Sequence, residues 1–183
     1  MTDLWQKMVS GEVYDALAPE FINELNRVKD LVWQYNQIIP SDYTNKEKAI
    51  RALLGKCGVR PIVNQPFYCD YGRNIEVGDF FFSNFNLTIL DEAPVKIGDH
   101  VFIGPNVSLY TACHPTNPEE RNKGVEWARP ITIGNSVWIG GSVTILPGVT
   151  CTIGAGSVVT RDIPANSIAV GNPCKVIKHI DHT

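Results

Sequence analysis

The sequence predicts a mainly β protein: a parallel β-solenoid built from six-residue repeats, preceded by a helical N-terminal cap and interrupted by one long excursion loop. Three observations predict it. Apolar residues recur at helical spacing only in the first third of the chain. A six-residue pattern recurs through the remainder, and one polar stretch without repeats breaks it. These divide the 183 residues into a cap over 1–60 and a repeat domain over 61–183, with the loop at 111–130.

In the cap, Pro19 suits a first helical position, and Phe21, Leu25, Val28, Val32 and Tyr35 follow at steps of three or four, one face of an amphipathic helix. Thr44-Asn45-Lys46-Glu47 has the form of a capping box ahead of Ala49, Ile50, Leu53 and Leu54, with Gly55 or Gly58 ending that helix. A shorter helix is expected around Trp5 to Leu17, broken by Gly11.

From Pro61 the grammar changes. Ile97-Gly98-Asp99-His100-Val101-Phe102 is followed by Ile103-Gly104-Pro105-Asn106-Val107-Ser108, and Ile133-Gly134-Asn135-Ser136-Val137-Trp138 by Ile139-Gly140-Gly141-Ser142-Val143-Thr144. Segments starting at Val77, Ile145 and Ile153 share the pattern: aliphatic at position one, mostly Gly at two, usually Val at five. Such recurrence is the mark of a solenoid in which position one points inward and stacks between coils. Gly, Asn and Asp are expected at corners that need a positive φ. Three hexads make a coil of roughly 18 residues. The 36 residues from Ile97 to Ile133 then read as two coils, and the 20 from Val77 to Ile97 and from Ile133 to Ile153 as one bulged coil each.

The segment from Ala112 to Arg129 has no repeat, two prolines and many polar groups, so it leaves the solenoid as a loop, and loops of this length in compact repeats usually carry function. His114 opens it, just before Pro115. An imidazole titrating near ~6.5 is suited to take a proton at neutral pH, although a histidine in a polar loop is also simply a surface residue. A net charge of −3 gives no reason to expect nucleic acid or an anionic membrane, and no apolar run approaches ~20 residues. Five cysteines without a C-x-x-C pair suggest neither disulfides nor zinc, so a cytoplasmic setting is expected.

With the cap's GEVYDA (11–16), the stretches CDYGRNIEVGDFFFSNFNLTILD (69–91), TACHPTNPEERNKGVEWARPITIGNSVWIG (111–140) and IGAGSVVTRDIPANSIAVGNPCKVIK (153–178) resemble the maltose, galactoside and nodulation-type O-acetyltransferases of the hexapeptide-repeat class. The likeness spans nearly the whole chain. It implies a left-handed β-helix and transfer of an acetyl group from acetyl-CoA to a hydroxyl of a sugar or glycoside. It also implies homotrimers whose active sites lie between neighbouring subunits.

Residue by residue, the resemblance makes His114 the general base. Asn84 would hold the acceptor and stabilise the developing oxyanion, a task for a neutral amide donor; Asn86 stands close enough to be confused with it. Asp70 and Asp91 match acceptor-binding carboxylates, with Glu92 the alternative if the register shifts by one, and Asp15 a looser match in the cap. Glu126 could accept from His114 and hold its tautomer, or stand as a solvated loop charge. For acetyl-CoA the implied residues are Trp138, Gly141 and Ala155 along the pantetheine groove, and Thr160, Arg161, Lys175 and Lys178 toward pantetheine and phosphates. His100, His179 and His182 read as structural or solvated. One departure from the family pattern is a shortening by four residues at Cys151-Thr152, beside the expected groove.

Other readings remain. A non-sugar acceptor (antibiotic, amino acid or amine) would use the same base. A carbonic-anhydrase-type metalloenzyme needs about three imidazoles around zinc, and only His100 and His114 precede the tail in the repeat half, so no metal is expected. A non-catalytic solenoid scaffold would have no need of the His-Pro loop.

Overall fold

A computed structural model describes residues 2–148 and 153–180. Helices α1 (Asp3–Ser10), α2 (Pro19–Gln37) and α3 (Tyr43–Leu53) come first. α1 stops at Gly11, whose φ of 82° supplies a left-handed C-cap. Pro19 begins α2 as expected, and Phe21, Val28, Val32 and Tyr35 are its buried stripe. α3 starts one residue before the expected capping box. Asp42, not Thr44, is the cap, accepting from the Asn45 N–H at 3.1 Å. No helix among the described residues is long and apolar enough to cross a membrane.

The solenoid has three parallel faces. The first stacks Lys56–Cys57, Ile75–Val77, Val95–Ile97 and Ile131–Ile133. The second stacks Ile62–Val63, Phe82–Ser83, Phe102–Ile103 and Trp138–Ile139. The third stacks Phe67–Cys69, Leu87–Leu90, Ser108–Tyr110, Thr144–Ile145 and Val158–Val159. Positions one and five of the repeat point inward: Ile97, Ile103, Ile133 and Ile139, with Val101, Val107, Val137 and Val143, are all buried. Each such side chain contributes roughly 1.5–3 kcal/mol relative to exposure. The same core takes in Val28, Val32, Tyr35, Ile50 and Leu53, so α2 and α3 close one side of the solenoid instead of packing as a separate body.

Three sequence expectations are corrected. Ile133 pairs directly with Ile97 and Trp138 with Phe102, so the 36 intervening residues form one coil plus the excursion, not two coils. Ile153 pairs with Ile139 on the second face, 14 residues earlier, and not with Ile133; the shortening at Cys151-Thr152 lies outside the described residues. The third concerns only part of the corners: Asn86, Asn106 and Asn166 hold the expected positive φ, but another set does not. Asp79, Asp99 and Asn135 do not adopt the positive φ; their side-chain oxygens bridge coils instead, Asp79 accepting from Val59 N–H (2.7 Å), Asp99 from Asp79 N–H (2.7 Å) and Asn135 from Asp99 N–H (2.9 Å). The left-handed conformation falls on the next residue, Phe80, His100 and Ser136, at φ near 55°. That conformation costs roughly 1–2 kcal/mol for a non-glycine residue, offset by coil-to-coil stacking such as Phe80 on His100 (4.9 Å, 13°). At position two of most coils glycine is needed for another reason, Gly134 being open. A Cβ on Gly140 would lie 2.4 Å from the Ala155 nitrogen in the coil above.

The excursion is not irregular. Ala112–Cys113 and Val125–Ala128 pair antiparallel, a short helix α4 (Pro118–Arg121) lies between them, and Tyr14–Asp15 of the N-terminal segment adds to the outer edge as a third strand. At the C-terminus, Ser167–Val170 and Lys175–His179 form a hairpin that continues the second face through Ala169 and Ile153.

Candidate active site

The corner after the third face collects most of the predicted acidic residues. His114 follows Ala112–Cys113, its side chain 56% exposed, with Nε2 3.5 Å from Oε1 of Glu126. Glu126 lies in the returning strand and is only 8% exposed, so it is no solvated loop charge. Its other oxygen, Oε2, accepts from the Tyr14 hydroxyl at 2.9 Å. Burial pushes the Glu126 carboxyl up, while the Tyr14 hydrogen bond and His114 pull it down.

Behind this pair, Glu92 is buried and hydrogen-bonded to the half-buried Asp70. Burial pushes Glu92 well above the usual carboxylate range, and hydrogen bonding to Asp70 adds to this. Thr111 joins this cluster. Its Oγ1 accepts from Ala93 N–H (3.0 Å), lies 2.8 Å from the Leu90 carbonyl and 3.1 Å from Glu92 Oε2. A hydroxyl has one proton. The Leu90 carbonyl and Glu92 Oε2 therefore share one hydroxyl proton. Asp70 also lines a cleft of about 420 Å³, with Trp33, Asn36 and Tyr68.

Asp91 departs from its expected role. It is 0% exposed, and its carboxylate accepts from the backbone N–H groups of Asp70 (3.1 Å), Tyr71 (2.9 Å) and Asn74 (3.3 Å). Burial pushes its carboxyl up to about 7 against those donors. It ties one coil corner to the next and offers no face to an acceptor; the register alternative, Glu92, is the carboxyl in contact with Asp70. Asp15 is exposed, with Oδ1 accepting from Leu17 N–H at 2.9 Å, a local turn bond beside the hairpin.

The remaining predicted residues lie elsewhere on the same chain. Asn84 sits at the corner between second and third faces, its Oδ1 accepting from Phe85 N–H at 2.8 Å; Asn86, not Asn84, holds the positive φ. The strand Leu87–Leu90, on the order of 13 Å of extended chain, separates that corner from the acidic one. Gly141 and Ala155 lie on Asn84's corner, on later coils. Trp138, 71% exposed, ends an outward file of Ile62, Phe82 and Phe102 on the second face. Thr160 and Arg161 are exposed just past Val158–Val159, and Lys175 and Lys178 are exposed on the last strand. His100 is an exposed corner stacked on Phe80, and the Nδ1 of His179 lies 3.1 Å from the Ser167 hydroxyl. His182 is outside the described residues.

Sequence reasoning missed Thr111 and Tyr14. Thr111 was open to it, standing one coil above Asp91 by the register Leu90↔Tyr110. Tyr14 was not, because its partner is 112 residues away and no local pattern links them.

Residues 7–58 match the model of the maltose acetyltransferase hexapeptide capping motif. The chain is 42% identical over 180 residues to the galactoside O-acetyltransferase of Escherichia coli K12, covering 96% of this chain and 89% of that protein. Among solved structures it superposes on a maltose O-acetyltransferase from Clostridium difficile 630 with a TM-score of 0.96 and 44% identity, each chain 99% covered. A galactoside acetyltransferase in complex with coenzyme A gives a TM-score of 0.93 and 40% identity, with 99% of this chain and 92% of that one covered.

Proposed function

The chain belongs to the maltose, galactoside and nodulation-type O-acetyltransferase family of hexapeptide-repeat enzymes, and from that premise we propose that His114 is the general base with which it acetylates a hydroxyl of a sugar or glycoside. It is an acetyl-CoA-dependent acyltransferase. The observation that carries the assignment is the ring of His114 at the mouth of a buried acidic corner, with Nε2 3.5 Å from the carboxylate of Glu126.

The chemistry follows from the groups present. A sugar hydroxyl is a poor nucleophile at neutral pH. His114 takes its proton as the oxygen attacks the thioester carbonyl, and the resulting imidazolium returns a proton to the departing thiolate. Glu126 accepts from the ring and holds one tautomer ready. Transfer is direct, in a ternary complex: the Cys113 thiol, beside His114 in the chain, donates to the Thr111 carbonyl and not to a base, and burial raises the thiols of Cys57, Cys69, Cys113 and Cys174. Asp70 and Glu92 hold acceptor hydroxyls, with Asp15 at the rim. Asn84 stabilises the oxyanion.

Asn84, Gly141, Ala155 and Trp138 occupy a different corner and face from His114, so the site is completed by a second copy. The enzyme is a homotrimer, each cleft combining the base corner of one solenoid with the Asn84 corner of its neighbour. The coil is left-handed, residues 1–60 being its cap and 61–183 the catalytic β-helix. Small side chains at Gly141 and Ala155 leave room for pantetheine, and Lys175 and Lys178, with Thr160 and Arg161, meet its phosphate end. Lysine there keeps charge without a bidentate fork. The reaction runs in the cytoplasm.

The test is thiol release from acetyl-CoA across a panel of sugars, glycosides, amines and amino acids, run with His114→Ala alongside. Turnover is expected with a hydroxyl acceptor, and kcat should fall by roughly 10²–10⁴ in the variant with acetyl-CoA binding retained. Near-normal turnover in His114→Ala removes the base assignment, and activity confined to amines or amino acids removes the sugar reading.

A further inference from the structure

The base in the proposed reaction is useful only if its partner carboxylate is itself fixed, and the N-terminal segment reaches that carboxylate. We propose that Tyr14 is a positioning residue: its hydroxyl pins Glu126 so that the free carboxylate oxygen is presented to His114. This deepens the reading above and rests on it.

Three strands converge on the pair, each supplying one side chain. Ala112–Cys113 delivers His114 at its end, Val125–Ala128 carries Glu126, and Tyr14–Asp15 pairs on the far edge in the register Tyr14↔Glu126. The Tyr14 hydroxyl donates to Oε2 of Glu126 at 2.9 Å, leaving Oε1 for Nε2 of His114. Tyr14 itself cannot wander. It is 4% exposed, edge-on to Phe21 at 5.2 Å, in a cluster with Trp5, Met8 and Tyr71 that ties α1 and α2 to the solenoid corner. A phenylalanine would satisfy every one of those ring contacts. The hydroxyl therefore has one visible task, and that task is at Glu126.

The surroundings make the bond matter. Tyr14, His114, Asp70, Glu92, Tyr71 and Cys113 are the titratable groups whose charge bears on Glu126 or is affected by it. Most are acids, so Glu126 has few groups that favour its ionised form, and the Tyr14 hydroxyl is one of them. Without it, the carboxylate protonates more readily and is free to turn away from the ring. A residue one hundred positions from the base would in this way set the orientation of the base.

The test is Tyr14→Phe in the full-length enzyme, with Glu126→Gln and the double variant. Thermal unfolding of Tyr14→Phe should stay near wild type, because the packing is kept. The expected kinetic result is a fall in kcat of about 10-fold with KM for acetyl-CoA unchanged. The acidic limb of the pH profile should move in the same direction as in Glu126→Gln. Tyr14→Phe should add nothing once Glu126 is glutamine. NMR signals of the His114 ring, identified by their loss in His114→Ala, should move in Tyr14→Phe as they do in Glu126→Gln. That readout needs no turnover, so it separates failure of this inference from failure of the acetyl-transfer reading. Unmoved ring signals with an unchanged pH profile, or a further loss in the double variant as large as in the single, would overturn it.

Discussion

Replacing Asp91 by alanine separates two roles the sequence leaves open, acceptor binding and corner architecture. In the structure the side chain is fully buried and accepts from three backbone N–H groups, of Asp70, Tyr71 and Asn74, at 2.9–3.3 Å. Alanine leaves those donors without a partner. An unsatisfied buried donor costs about 1–3 kcal/mol; the longest bond costs least, and water entering the vacated space relieves part of the rest. The expected loss is about 3–6 kcal/mol, a fall in Tm of roughly 10–20 °C for a chain of this size. The loss should narrow as pH rises. Burial holds the carboxyl at about 7 against an ordinary 3.8, so unfolding releases a proton anywhere between those values, and wild-type stability falls across that window while the alanine variant's does not. Thermal unfolding followed by circular dichroism at pH 5 and pH 8, with acceptor KM measured well below the variant's Tm, checks both. An unchanged Tm combined with a greatly raised acceptor KM would refute the structural role and return Asp91 to the acceptor.

The same proton logic applies to Glu92. Its folded-state pKa is raised, so its stabilising contribution is complete below the ordinary value of 4.5 and is lost as pH rises above it; Glu92→Gln should therefore flatten the stability profile and raise Tm at pH 8, and infrared spectra at neutral pH should show a protonated-carboxyl band in the wild type that weakens in the variant. Coil spacing is tested by a pair of glycines. Gly140→Ala puts a methyl group 2.4 Å from the Ala155 nitrogen and should cost about 1–3 kcal/mol in urea unfolding, whereas Gly134→Ala meets nothing within 4 Å and should lie within about 0.5 kcal/mol of wild type.

The solenoid was legible because its information is periodic. Buried aliphatics at positions one and five recur every six residues, and each only has to meet its copy in the next coil, so a local pattern specifies a local contact. The helical stripe of Phe21, Val28, Val32 and Tyr35 was legible for the same reason. What periodicity could not give was which copies meet. The excursion between Ala112 and Arg129 adds residues without adding height, so Ile133 rests on Ile97 with no coil between them. The corners misled because Asp79, Asp99 and Asn135 suit a positive φ as well as they suit hydrogen bonding between coils, and in the stack the second is available at every level.

By itself, the sequence determined the repeat, the helical lead, the His-Pro loop and the residue types from which an acid–base site is made. Only the tertiary structure decided that Asp91 is sealed beneath backbone amides while Glu92 is buried beside Asp70 with its carboxyl pushed up, and that Tyr14 reaches Glu126 across 112 residues. The reason is physical. Whether a carboxyl binds, stores a proton or braces the backbone depends on burial and on the donors around it. Those are set by parts of the chain brought together only on folding, and no local pattern encodes them.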